Sequence, residues 1–279
     1  MSPAGILASV LTCATIVQAP VRARVNAEAN ITTSEQQRFD QCDRLRGELR
    51  QKSANDPRAL HDAWLAAKPR CAGTGIYEYL LGHDEQSAGN SAAAATIFED
   101  MVKRKLPYHE EAFVMLNTMR GEAAMQSQPP DLKRIGALRD ELAEFAGRSK
   151  PSAFTYQQLA AVNVTLRDWP AAIDAARKSN EVNRMYGLAS RYLVLALHQS
   201  DRCPEVVQEM KPALAHSREL FADRDFMLPV ADCLAQTGDP RHGEEALQAL
   251  LREKPALKDD PQVLQMQHYF AVTNRSGSR

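Results

Sequence analysis

From Thr33 onward, apolar residues recur at the three- and four-residue spacing of helices that bury one stripe, and no stretch keeps the two-residue rhythm of a strand. The pattern predicts helices near 34–53, 57–68, 75–88, 91–105, 109–126, 130–147, 152–166, 170–182, 185–199, 204–216, 222–237, 240–254 and 261–272. Their starts are marked by Asp56-Pro57, Asp168-Trp169-Pro170, Asp239-Pro240 and Asp260-Pro261, each a capping carboxylate just ahead of a proline whose missing N–H costs nothing in a first turn. Asp201 to Pro204 is a looser version. Pro212 and Pro229 fall inside two of the segments and predict kinks or displaced ends. The connections are short, which makes consecutive helices antiparallel neighbours.

The helices also repeat. Leu159 and Ala172 return 34 residues later as Leu193 and Val206 with the same 13-residue offset, Leu138 precedes Ala172 by 34, and Ala176 maps onto Met210. Leu81 and Ala94 keep the offset of 13, with Phe98 one turn on. Tyr156, Leu159, Ala160, Ala172 and Ala176 supply an aromatic, a leucine and three small residues in an order that resembles the tetratricopeptide repeat (TPR). Leu80 to Met101, "LLGHDEQSAGNSAAAATIFEDM", carries the same family's Leu-Gly, Ala and Phe. The resemblance is good over 153–218, fair over 75–105 and architectural elsewhere. Asn163 and Leu197 replace the family's second aromatic, and Arg184 its terminal proline. The 44-residue step from Ala94 to Leu138 and the irregular step after Val206 place insertions around "QSQPPD" and "AHSRELFADRD".

The resemblance implies an all-α, right-handed superhelical α-solenoid of antiparallel helix pairs over 34–272. In it, the alanines of Arg167 to Asn183 let the second helix of one pair nest between its own partner and the next pair. It also implies that the first helices of the pairs line a concave face. The inward polar positions there would be Gln157, Thr165, Arg191, Tyr192, His198 and Gln199, a set suited to an extended peptide. The Lys/Asn/Arg set of the carboxylate-clamp subclass is missing, since Ala161 and Leu188 stand at inner positions.

Charge narrows the partner. With 34 Lys and Arg against 35 Asp and Glu, and no basic block, the chain has no net field to gather nucleic acid or an anionic membrane. Motifs for chemistry fail on inspection: His109-Glu110 meets Phe113 where a zincin has its second histidine, and Gly73-Thr74-Gly75 lacks a third glycine and a preceding strand. The expectation is therefore a non-catalytic module that binds a protein or peptide, with no cofactor, metal or nucleic acid.

The first residues point to export. Gly5 to Val17, "GILASVLTCATIV", is an uncharged apolar run of signal-peptide length, too short to span a bilayer comfortably, although "MSPAG" before it carries no Lys or Arg. Cleavage after Ala27 suits it better than after Ala19, which Pro20 follows. This predicts a leader over 1–27, a mobile tail over 28–33, a second over 273–279, and no stable membrane insertion once the leader is gone. The leader takes Cys13 with it. The remaining Cys42, Cys71, Cys203 and Cys233 form an even set, and pairing nearest in sequence gives Cys42–Cys71 and Cys203–Cys233. The second pair joins the start of one helix to the end of the next antiparallel one. A periplasmic or secreted scaffold of the cell envelope follows, with a cytoplasmic adaptor of the same fold, or a helical enzyme or ligand-binding protein with an unrecognised site, as the alternatives.

Overall fold

The computed structural model describes residues 33–52, 57–148, 151–183 and 187–276, so the expected leader, Asp56 and residues 277–279 lie outside the described residues. Among the described residues the chain forms α-helices, two short 3-10 turns and no strand. Two compact units divide it at residue 130.

The first unit holds α1 (Thr33–Lys52), α2 (Pro57–Ala66), α3 (Lys68–Cys71), α4 (Ile76–Ser87), α5 (Ser91–Arg104) and α6 (His109–Gln126). The short α3 lies beyond the expected end of the preceding helix, because Pro69 fits a first turn and starts a new one. Cys71 closes α3, and its sulfur sits 2.09 Å from that of Cys42 on α1. Arg38, one turn before Cys42, donates to the carbonyls of Arg70 and Ala72 at 2.8 and 2.7 Å, so the same stretch of α1 meets the orphaned acceptors at the end of α3. Trp64, Ile76, Tyr77 and Phe39 pack around the sulfurs, and the Trp64 indole N–H donates to the Tyr77 carbonyl at 3.2 Å. Glu78 reaches back to accept from the backbone N–H groups of Gly73 and Gly75, fixing the entry to α4. Gly75 must be glycine: its φ is +77°, and a Cβ there would run into the Pro107 carbonyl.

The second unit holds α7 (Leu132–Arg148), α8 (Ala153–Leu166), α9 (Trp169–Val182), α10 (Gly187–Gln199), α11 (Cys203–His216), α12 (Arg224–Gln236), α13 (Pro240–Glu253) and α14 (Pro261–Ser276). 3-10 turns fill Arg218–Ala222 and Pro255–Asp259, the first of them inside the expected insertion "AHSRELFADRD". Caps set the boundaries. Asp168, Asp239 and Asp260 accept from the first-turn N–H groups of Ala171, His242 and Val263, each at 3.3 Å. Asp223 does the same for Phe226 at 3.1 Å, which moves the start of α12 past the expected residue 222. The looser Asp201 signal does not cap: α11 follows Arg202, with no side chain bonded to its first turn. Pro212 and Pro229 both lie inside unbroken helices. The last helix runs on to Ser276, so the tail expected from residue 273 is helical as far as that residue.

The repeat markers are the core of this unit. Leu159, Ala160, Ala172, Ala176, Leu193 and Val206 are all buried, Ala172 and Ala176 with no exposed surface at all. Successive helices α8, α9 and α10 pack on one another, and the first helices of adjacent pairs, α8 with α10 and α10 with α12, also touch. The Ser179 hydroxyl on α9 donates to the Ala153 carbonyl at 2.7 Å, tying the far end of α9 to the first turn of α8. The sulfurs of Cys203 and Cys233 lie 2.08 Å apart and join the start of α11 to the end of α12.

Close helix packing makes glycines unequal. In α4, a Cβ on Gly82 would come within 2.6 Å of the fully buried Phe98 ring, whereas one on Gly121 in α6 meets nothing within 4 Å. Gly82→Ala should destabilise the protein by about 1–3 kcal/mol through overpacking. Gly121→Ala should stabilise it by about 0.5–1 kcal/mol by restricting the unfolded chain. Urea unfolding followed by circular dichroism checks both.

Candidate partner-binding face

Helices α8, α10 and α12 stand side by side as the first helices of their pairs, and the residues singled out from sequence lie on α8 and α10. The structure divides that set in two. Gln157, Arg191 and Tyr192 are buried, with relative exposures of 1, 3 and 1%. Thr165 and His198 are half-buried and Gln199 is exposed.

Arg191 is enclosed by charge from the next repeat. Its guanidinium donates to Asp223 at 3.4 Å and to Asp225 at 3.2 Å, and it lies 5.5 Å from the centre of the Tyr192 ring. Its Nε has no partner among the described residues, and neither has the Gln157 carbonyl oxygen one period earlier. Burial pushes the Asp223 carboxyl above its ordinary value, against the pull of Arg191. Burial likewise drives the Tyr192 hydroxyl well up, so the ring stays neutral. The network continues: Arg224 donates to Asp225, to Asp260 and, at 2.7 Å, to Gln262 at the start of α14. The first turns of α10, α12 and α14 are thus laced together by alternating charge.

The more open part of the face is polar. The His198 Nε2 pairs with an Asp232 oxygen at 2.7 Å, and the same oxygen accepts from the Gln236 amide at 2.8 Å. The Gln199 amide sits 3.4 Å from the other ring nitrogen of His198. A row of amide, imidazole, carboxylate and amide therefore crosses from α10 to α12. Thr165 turns its hydroxyl back to the Ala161 carbonyl at 3.0 Å, which leaves its methyl as the group available outward. Asp223, Asp225, Asp232 and Gln236 escaped the sequence reading, but the period held a signal: Arg191–Asp225 and His198–Asp232 each join residues 34 apart. Among the described residues no group of three His, Cys, Asp or Glu side chains could hold a metal ion.

Three variants test this geometry. Tyr192→Ala should cost about 3–5 kcal/mol as a buried aromatic. Arg191→Ala should cost somewhat less, about 3 kcal/mol, by leaving the half-buried Asp223 without its cation and Asp225 with Arg224 alone. Denaturant unfolding reads both. The Asp232 carboxyl is held below its ordinary value, first by the His198 hydrogen bond. A depressed carboxyl contributes stability above its unfolded pKa and loses it as the pH falls through the folded one. Asp232→Asn should therefore cost less than about 1 kcal/mol near neutrality, given the partial exposure of the pair. That difference from the wild type should vanish in acid, below the ordinary carboxylate range.

No protein-family model matches the chain, and no curated protein matches it. Solved structures do. YrrB, described as a TPR protein with an unusual peptide-binding site, is 12% identical over 75% of this chain and 99% of its own, with a TM-score of 0.52. MamA is 15% identical over 67% of this chain and 96% of its own, with a TM-score of 0.48. A thermophilic TPR protein of Thermus thermophilus is 18% identical over 71% and 97%, with a TM-score of 0.44. At such identities the likeness concerns the fold, and the YrrB match carries it. With the 34-residue period in its sequence and in its ion pairs, the chain has an all-α, TPR-like fold of antiparallel helix pairs, seen most clearly in its second unit.

Proposed function

We propose that the chain is a non-catalytic interaction or scaffold module of the cell envelope, taking a peptide or protein partner along the first helices of its second unit. The observation that carries this reading is the polar row Gln199, His198, Asp232 and Gln236, which presents donors and acceptors across two neighbouring helices. An extended peptide offers its own N–H and C=O groups at intervals and needs such partners in return. In this reading the buried members of the sequence-derived set, Gln157, Arg191 and Tyr192, hold the helices in register, while Thr165, His198 and Gln199 meet the partner. Export is supported by the uncharged apolar run over 5–17 and by two cysteine pairs at bonding distance. No helix among the described residues is long and apolar enough to cross a membrane.

Affinity capture with the full chain, followed by binding measurements on Gln199→Arg and Thr165→Arg, tests the face. Each variant should lose about tenfold in affinity, near 1.4 kcal/mol, while stability stays within about 0.5 kcal/mol. Unchanged affinity in the double variant would move the partner elsewhere. For the compartment, peptide mapping of the natural protein without reductant should find Cys42 linked to Cys71 and Cys203 to Cys233. Reduction should then cost about 3 kcal/mol for each bridge. Four free thiols together with an intact residue 1 would favour the cytoplasmic adaptor.

A further inference from the structure

The open part of the polar row carries one charge that no described residue neutralises. Asp232 on α12 is ionised at neutrality, since the His198 hydrogen bond holds its carboxyl below the ordinary value. One of its oxygens takes both hydrogen bonds, from His198 at 2.7 Å and from Gln236 at 2.8 Å. The other has no partner among the described residues, and the side chain is 36% exposed. The Gln199 amide lies 3.4 Å from Nδ1 of His198, the geometry of a donor to a neutral ring whose proton sits on Nε2. A neutral imidazole hydrogen-bonds the carboxylate without cancelling its charge.

Neighbouring cations do not cancel it either. Of Lys and Arg, α8 has none, α10 only Arg191 and α12 only Arg224. Both are engaged, Arg191 by Asp223 and Asp225, and Arg224 by Asp225 and Asp260. Asp232, two turns along α12 from that network, is the carboxylate left over. The hydrogen-bonding capacity that remains on this face agrees. Gln157 stands 34 residues before Arg191, and Arg191 34 before Asp225, so the three leave their helices on one face. His198 and Asp232 follow on that face seven residues later, close to two turns. The Gln157 carbonyl oxygen is buried there and accepts from no described residue. The unused Nε of Arg191 belongs to a guanidinium already held by two carboxylates. The face is short of donors.

We infer that this face selects a cationic peptide, and that Asp232 receives the cation, a Lys or Arg side chain or a free amino terminus, on its unused oxygen. This rests on the reading of the row as a partner-binding face and names the chemistry of that partner. Such groups donate and never accept, which matches a surplus of acceptors. An acidic segment would instead meet an unneutralised carboxylate. Gln199 and Gln236, on either side of the His198–Asp232 pair, supply neutral amides for the peptide backbone that flanks the cation.

Peptide arrays probed with the full chain test this. Random-sequence decapeptides tethered by their C-termini are displayed in two sets, one N-acetylated and one with free amino termini, and exposed to the wild type and to Asp232→Asn. Peptides kept by the wild type should be enriched about threefold or more in cations, and Asp232→Asn should lose that enrichment. Enrichment that persists in the acetylated set assigns a side chain, and retention confined to the free-amine set assigns the amino terminus. For the best binder in solution, Asp232→Asn should weaken affinity about fivefold, the size of one partly exposed ion pair. Salt at about 0.5 M should weaken the wild type and barely affect the variant. Exchanging the peptide's cation for a carboxylate should abolish binding to the wild type, and Asp232→Lys should restore it, a rescue that a merely structural role for Asp232 would not give. Binders without a preference for cations, or an unchanged affinity in Asp232→Asn, would overturn this inference and leave the peptide-binding reading standing. An array from which the wild type keeps nothing would overturn both.

Discussion

Everything in the second unit depends on how closely its helices can approach. Ala172 and Ala176 have no exposed surface because α9 lies against both α8 and α10, and any larger side chain at these positions would hold the helices apart. That approach lets the first helices of adjacent pairs touch, and only because they touch can Arg191 reach Asp225 or His198 reach Asp232. The electrostatics of the face are a consequence of the packing of its back.

The two ion pairs show the two uses a repeat can make of polar residues. Arg191, nearly without exposed surface, is a buried cation whose desolvation is offset by two carboxylates and by the face of Tyr192. Its geometry specifies the register of α12 against α10. His198 and Asp232, two turns further along, remain in contact with water. The same spacing therefore supplies a structural staple at the start of the helices and a solvated row toward their ends. The first unit solves its own problem differently, with a sulfur pair, an arginine on orphaned carbonyls and a run of aromatic rings from Phe39 through Tyr108 to Tyr79.

Most of the helices were legible because their signals are local. The capping aspartates 168, 239 and 260 act within three residues of themselves, and the apolar period needs only one helix to be seen. The short α3 was not legible, because Lys68 to Cys71 is too brief to show a period. The start of α12 was misplaced by the same logic: Asp223 lacks the proline that marked the other caps.

What the sequence by itself determined is the all-helical character, the 34-residue period and the buried markers. Each follows from spacing along one chain. What only the tertiary structure decided is which polar residues of the first helices meet water. Arg191 and Gln199 read alike in sequence, as hydrophilic residues on one helix. One is buried and the other exposed because the carboxylates that enclose Arg191 come from the next repeat, 32 and 34 residues on; the 34-residue period pairs such positions, but the 3.6-residue rhythm within one helix does not say how deeply the next repeat covers each of them.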